Sequence, residues 1–351
     1  MITGEGVPKL PHHADGRGFP HFYPETHHLT RGDVRHKGDV AQLGFLQVLM
    51  RNGKTVADWR IEPPVGWTKT SFRRASFAHW LTDVEDGAGN LLARVAVNRL
   101  WQHHFGHGIV ATPNDFGVSG AAPTHPELLE WLASDLVTHG WTLKRLHRQM
   151  LLSSVYRQSN AWDEQRATLD RENQLLWRRT PQRLEGEAIR DSLLAVSGQL
   201  DPRMYGPGTL DQDMPRRSIY FFVKRSQLIP MMMLFDWPES LVSIGQRPNT
   251  TVAPQALLFM NSPQGRRYAV QLANRVLQAV GESSEPVRQI EQLYRLAYGR
   301  NPQQRESELA VRFLLEQQQL YQSQNSPQPA QTALADLSQA VLSGNEFCYM
   351  E

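Results

Sequence analysis

The 351-residue chain is 40% hydrophobic and carries nine tryptophans and thirteen phenylalanines, enough for a real core, which excludes a disordered polymer. Its formal charge is +2, with 37 Lys plus Arg against 35 Asp plus Glu, so the overall balance gives no footing for nucleic-acid binding. One cysteine, Cys348, excludes an intrachain disulfide, an iron–sulfur cluster or a cysteine zinc knot, and no CxxCH haem-attachment motif occurs.

No run is long and apolar enough to span a membrane, and the opening residues do not read as a signal peptide. The expectation is either a cytoplasmic chain or one that begins inside a larger exported precursor. Positive charge is carried mainly by arginine, whose planar fork suits fixed contacts to carboxylate, phosphate or sulfate, and equally suits structural ion pairs.

Residues 1–71 are rich in Gly, Pro, His and isolated charges and are expected to form an irregular N-terminal docking arm. Apolar groups at Val40–Met50 and Val56–Ile61 offer docking points, and Thr30-Arg31-Gly32-Asp33 reads as a turn. A short amphipathic face follows at Phe77, Trp80 and Leu81. The polar turn DVEDGAGN then leads to a helix capped by Asn90, with Leu92, Val95, Ala96, Leu100 and Trp101 on its apolar face. Arg94, Asn98, Arg99 and Gln102 are expected to face elsewhere. This helix runs into His103, His104, Phe105, Gly106 and His107, where glycine permits a left-handed exit, and Pro113, Asn114, Asp115 and Gly117 promise an ordered polar loop.

Thr124-His125-Pro126-Glu127 resembles a helix start, with Pro126 in the first turn. The stretch LLEWLASDLVTHG ends on a glycine stop, and Thr142 is placed to cap LKRLHRQMLLSSVY. After a polar stretch at Ala161–Asn173, QRLEGEAIRDSLLAVSG predicts a helix with Leu184, Ala188, Leu194 and Ala195 toward a core. Arg183, Glu187, Arg190 and Asp191 fall on its polar surface as an ionic network. Asp201–Gln212 is a Gly/Pro-rich bend, and Arg216–Lys224 reads as a strand. A short helix is expected through Gln255–Phe259. Tyr268–Val280, Val287–Tyr298, Glu306–Tyr321 and Gln331–Leu342 predict four further helices, with Gly281 and Gly299 as stops. Cys348 is expected to be buried rather than catalytic.

Two chemistries compete for the polar residues. His103, His104 and His107, with His12-His13 and His27-His28 in the arm, supply imidazoles, but neighbouring histidines do not by themselves converge on a metal, so no metal and no cofactor is expected. The acid/base alternative takes Asp115 and Glu187 as catalytic carboxylates. In that reading Asn98, Arg99, Gln102, His103, His104, Arg183, Arg190 and Asp191 position an anionic or polyhydroxylated ligand. Ser218 and Ser243 lie in no nucleophile elbow, and no GxGxxG or GxxxxGK[ST] loop occurs.

Taken in order, RRASFAHWLTD, NLLARVAVNRLWQHHFGHGIVATPNDFG, HPELLEWLASDLV, GWTLKRLHRQMLLSSVYRQS, QRLEGEAIRDSLLAVSGQLD, RRSIYFFVKR and NTTVAPQALLFMNSP closely resemble the PSD1 (DUF1553) family. Arg94, Asn98, Arg99, Trp101, Gln102, His103, His104, Phe105 and Gly106 match its helix-to-bend block. Asn114, Asp115, Phe116 and Gly117 match the next loop, and Arg183, Glu185, Glu187, Arg190 and Asp191 the later polar helix. The resemblance implies a module of large planctomycete-type bacterial proteins, often following a DUF1549 region, in precursors that are commonly exported. It carries no catalytic assignment.

The expected architecture is mainly α. A composite multi-helical domain over 72–351 carries a small strand-containing insert around 201–253, and the Arg99–Asp115 and Arg183–Asp191 blocks meet in one groove. The expected function is a noncatalytic interaction or scaffold module of an exported bacterial assembly, linked to carbohydrate or redox machinery. Its partner would be a cell-envelope protein or glycan rather than nucleic acid. The competing expectation is a metal-independent carbohydrate-active hydrolase.

Overall fold

The computed structural model describes residues 27–67, 71–224, 226–238, 242–282 and 284–350. His12, His13 and the rest of the expected arm before residue 27 lie outside the described residues. The chain divides into two compact units, 1–156 and 157–351, and the segment expected as an arm shares its unit with the first four helices. Helices dominate, 52% of the structure against 5% strand. No helix among the described residues is long and apolar enough to cross a membrane.

In the first unit, β1 (His27–Leu29) pairs antiparallel with β2 (Lys37–Val40), and Thr30–Gly32 makes the turn between them. Residues 45–59 then dock on α1 (Arg73–Thr82). Phe45 stacks on Trp80 with ring centroids 5.1 Å apart, and Leu49 and Met50 pack beside it. The buried Trp59 indole donates to Asp83 Oδ2 at 2.8 Å, giving an otherwise costly N–H its partner.

Helix α2 (Gly89–Phe105) packs against α3 (Pro126–Thr138), and α4 (Leu143–Leu152) closes over them with Leu146 and Met150 inward. The buried stripe of α2 is Ala93, Val97, Asn98, Trp101 and Gln102, so Asn98 and Gln102, expected on another face, lie on the inner one. Leu92, Val95, Ala96 and Leu100 are only half-buried. Asn90 does not cap α2. The helix begins one residue earlier, at Gly89, and the Asn90 amide instead donates to the Val84 carbonyl at 2.7 Å.

The second unit contains α5 (Glu164–Leu169), β3 (Gln182–Arg183), α6 (Gly186–Val196), α7 (Pro230–Leu234) and α8 (Ala253–Asn261). Four long helices follow: α9 (Pro263–Val280), α10 (Pro286–Tyr298), α11 (Gln304–Ser323) and α12 (Pro329–Leu342). Their spans match the four helices expected there, because each carries a continuous apolar stripe: Ala269, Leu272, Ala273 and Val276 on α9, Ile290 and Leu293 on α10, Leu334, Leu337 and Val341 on α12. The short α13 (Asn345–Cys348) leads into β4 (Tyr349–Met350), which pairs antiparallel with β3.

Arg216–Lys224 does not form the expected strand. Ser218–Tyr220 is a 3-10 turn, and among the described residues the insert makes only isolated bridges, Asp201 with Arg216 and Thr209 with Phe221. The physical reason lies in α6 and in the turn itself. The Arg216 carbonyl is taken by the Arg190 guanidinium, and the next carbonyls, of Arg217 and Ser218, accept from the Tyr220 and Phe221 N–H groups within the chain's own turn, so the segment closes on itself instead of offering a ladder.

Candidate functional site

In the first unit the candidate residues organise the loop after α2. Gly106, at φ +87°, turns the chain out of the helix, a conformation that costs a side-chain-bearing residue energy. Asn98 then clamps the returning strand of loop. Its Nδ2 donates to the Val110 carbonyl at 3.0 Å, and its Oδ1 accepts from the Val110 N–H at 2.8 Å. A Cβ at Gly108 would stand 2.6 Å from the Val110 carbonyl oxygen and 2.7 Å from Asn98 Nδ2, so glycine is what lets the clamp close. Asn98 is fully buried and fastens backbone, which corrects its expected place on a ligand-facing surface.

Further along this loop, Arg99 donates to Asn114 Oδ1 at 3.1 Å, and Asp115 Oδ1 accepts from the Gly117 N–H at 2.9 Å in an Asx turn. Thr112 ties the loop again, its hydroxyl donating to the Asp115 carbonyl and accepting from the Ala121 N–H. His103 and His107 are exposed. His104 Nε2 lies 2.8 Å from Nδ1 of His147 on α4, so within a neutral pair one imidazole donates and the other accepts. Tyr156 meets His104 edge-on. His147 was not among the candidates, because sequence spacing does not show which helix lies across from another.

In the second unit, α6 splits the candidates between two networks. Arg190 is buried, and it reaches the carbonyls of Arg216 at 3.0 Å and Gln212 at 3.2 Å, the Met214 carbonyl, and Ser218 Oγ at 3.3 Å. Its guanidinium also lies over the Phe221 ring, 4.6 Å from the centroid. Burial pulls its pKa below the usual arginine value, with Tyr268 and Asp191 opposing that shift. Asp191 accepts from the Ser218 N–H at 2.7 Å and from Arg217 at 3.3 Å. Arg190 and Asp191 therefore hold the insert in place, a correction to the expectation that Arg190 lies on a polar helix surface.

The second network faces the segment 236–250. Arg183 donates to Asp236 Oδ2 at 2.6 Å and to Asn249 Oδ1 at 3.1 Å. Asp236, at φ +62°, also accepts from the Thr250 N–H and hydroxyl. Arg247 grips both oxygens of Glu187 at 2.9 and 3.0 Å and lies 3.1 Å from Glu185. Burial works against the Arg247 charge, but the hydrogen bond and attraction of Glu187, with Glu185, overcome it and raise its pKa. The pairing of Asp236 with Arg183 and of Arg247 with Glu187 was not legible in the sequence, because each lies dozens of residues from its partner.

The structure thus groups Asn98, Arg99 and Asp115 around one loop, and Arg183, Glu187, Arg190 and Asp191 around α6. Asp115 falls in the first compact unit and Glu187 in the second. Among the described residues no group of three or more His, Cys, Asp or Glu side chains is placed to hold a metal ion. Cys348 is buried, and its thiol is pushed up to about 11 by burial.

A sequence profile of PSD1, described as a protein of unknown function (DUF1553), matches residues 73–314, and the chain belongs to that family. No curated protein and no solved structure matches the chain.

Proposed function

We propose that this member of the PSD1 (DUF1553) family is a noncatalytic interaction module of an exported bacterial assembly, linked to carbohydrate or redox machinery and engaging a cell-envelope protein. The observation that carries this reading is the insert at 201–224. The buried Arg190 holds its backbone from below, and Arg216 lies over Tyr220, 3.5 Å from the ring centroid, while donating to the Tyr205 carbonyl. On that frame Met204, Tyr205, Ile219, Phe222 and Val223 are each more than half exposed. Apolar side chains gathered on a backbone that is already ordered suit a protein partner, since little further ordering entropy is lost on binding. The exported setting rests on the resemblance to multidomain precursors.

Support also comes from how the candidate carboxylates are used. Glu187 is gripped by Arg247, Asp191 by the Ser218 N–H and Arg217, and Asp115 Oδ1 by the Gly117 N–H. Each does structural work where the hydrolase reading needs an acid or a base.

The test compares the wild-type chain with Phe222→Asp on immobilised protein challenged with solubilised native cell envelope. The expected result is one envelope protein retained stoichiometrically by the wild type and released by the variant, with Tm unchanged. Absence of any stable partner across native envelope fractions would overturn the proposal. Glycan hydrolysis by the wild type that disappears in a folded Glu187→Gln variant would replace it with the hydrolase reading.

A further inference from the structure

Beside the Arg190 network, but using different side chains, the second unit contains a cavity of about 370 Å³. Its walls come from the end of α6 (Leu194, Gln199), the start of α9 (Gln264, Arg267, Tyr268) and the insert (Asp213, Pro215). The volume lies at the small end of the range for ligand pockets, roughly 300–1,000 Å³, which suits one ring rather than a chain.

The wall chemistry narrows the ligand further. Gln264 Nε2 donates to the Tyr268 hydroxyl at 3.1 Å and to the Gln212 carbonyl at 3.3 Å, which leaves its Oε1 as an acceptor. Because the Tyr268 oxygen accepts that bond, its own proton remains available to donate. Burial raises the Tyr268 pKa, against the opposing pull of Arg190, so the phenol keeps this proton across the physiological range. The Gln199 side chain adds a second amide.

Arg267 and Asp213 form an ion pair at the exposed rim. The Arg267 charge is already answered by a carboxylate, so the lining residues present no unpaired cation to an anion, while the pair still offers donors and acceptors side by side. Leu194 and Pro215 add apolar surface. Donors and acceptors interleaved with a small apolar wall match a ring that carries hydroxyls on its edge and C–H groups on its faces.

We infer that this cavity between α6, α9 and the insert binds a small neutral polyhydroxylated ring, of the monosaccharide or cyclitol class. The inference goes beyond the interaction reading and does not depend on it, since Phe222 takes no part in the cavity.

The experiment is saturation-transfer NMR followed by calorimetry on the full chain. D-glucose, D-galactose, N-acetyl-D-glucosamine and myo-inositol serve as neutral probes, with acetate and inorganic phosphate as anionic controls. The expected result is saturable binding of at least one neutral ring, weakened about tenfold or more in Gln264→Leu and in Gln199→Ala. Gln199 is half-buried and its side chain makes no hydrogen bond among the described residues, so Gln199→Ala keeps the test decisive if Gln264→Leu does not fold. No saturable binding of any neutral probe, binding undiminished in Gln199→Ala, or binding of the anions alone would each overturn the inference.

Discussion

Arg190 Nη1 reaches Ser218 Oγ at 3.3 Å across 28 residues of sequence, and through this and its backbone contacts one α6 side chain determines the path of the insert. Its Nε finds no partner among the described residues, so the guanidinium's hold on the insert comes entirely from its two terminal nitrogens. Replacing Arg190 with methionine keeps much of the volume but takes the Arg190 donors from the carbonyls of Met214 and Arg216, and leaves the Gln212 carbonyl with Gln264 alone. The expected loss is about 3 kcal/mol or more in chemical denaturation, at roughly 1–3 kcal/mol for each buried group left unsatisfied. Limited proteolysis should show new cleavage within 201–224. A stability within about 0.5 kcal/mol of wild type would mean that the insert is held by something else.

The loop after α2 makes a parallel prediction. Asn98→Ala removes both hydrogen bonds to Val110 and strands a buried N–H and carbonyl, for an expected loss of about 2–4 kcal/mol. Gly108→Ala should destabilise through the same clamp, by driving a methyl against Asn98. Since both substitutions act on one contact, the double variant should lose clearly less than the sum, and full additivity would count against the clamp.

Arg183 and Asp236 form a second long-range tie, with side chains only 5% and 14% exposed. Asp236→Ala leaves the arginine charge poorly matched and removes the acceptor for Thr250, so an expected loss of about 3–5 kcal/mol should appear in urea denaturation. Arg183→Met with Asp236→Leu should recover much of that loss, because an apolar pair of similar volume avoids an unmatched charge. Equal stability of the single and double variants would contradict this account.

Acid stability should depend on Arg300. This side chain donates to Glu306 and Glu346, and the Arg300 hydrogen bond is the main reason the Glu306 carboxyl is held below the ordinary value, burial opposing it. A depressed folded-state pKa contributes stability that is complete above the unfolded pKa of about 4.3 and lost as pH falls through the lower folded value. The Tm gap between wild type and Arg300→Gln should therefore be widest near neutral pH and narrow below about pH 4. A gap that stays constant across this range would exclude the pair as its source.

Cys348 supplies a simple check on the packing of the C-terminal helices. With its thiol pushed up to about 11 and its side chain buried, almost none is thiolate near neutral pH. Iodoacetamide should leave it unmodified in the native protein and alkylate it fully in denaturant. Rapid native labelling would show that α13 does not pack as described.

The amino-acid sequence by itself determined where the long helices of the second unit run, because local apolar periodicity and glycine stops act within a few turns of chain. Leu272 and Val276, or Ile290 and Leu293, need no distant partner to be placed on an inner face. Which polar residues turn inward was decided only by tertiary structure. One residue is 100° of helix, so a small error in the assumed face carried Asn98 and Arg190 from the surface to the core. The strand expected at Arg216 failed for a related reason. Its residues favour extended backbone, but its first carbonyl is held by a guanidinium more than twenty residues away in sequence and the next two accept within a tight local turn. Hydrogen bonds of that separation leave no periodic mark in a sequence, and they appear only when the chain is folded.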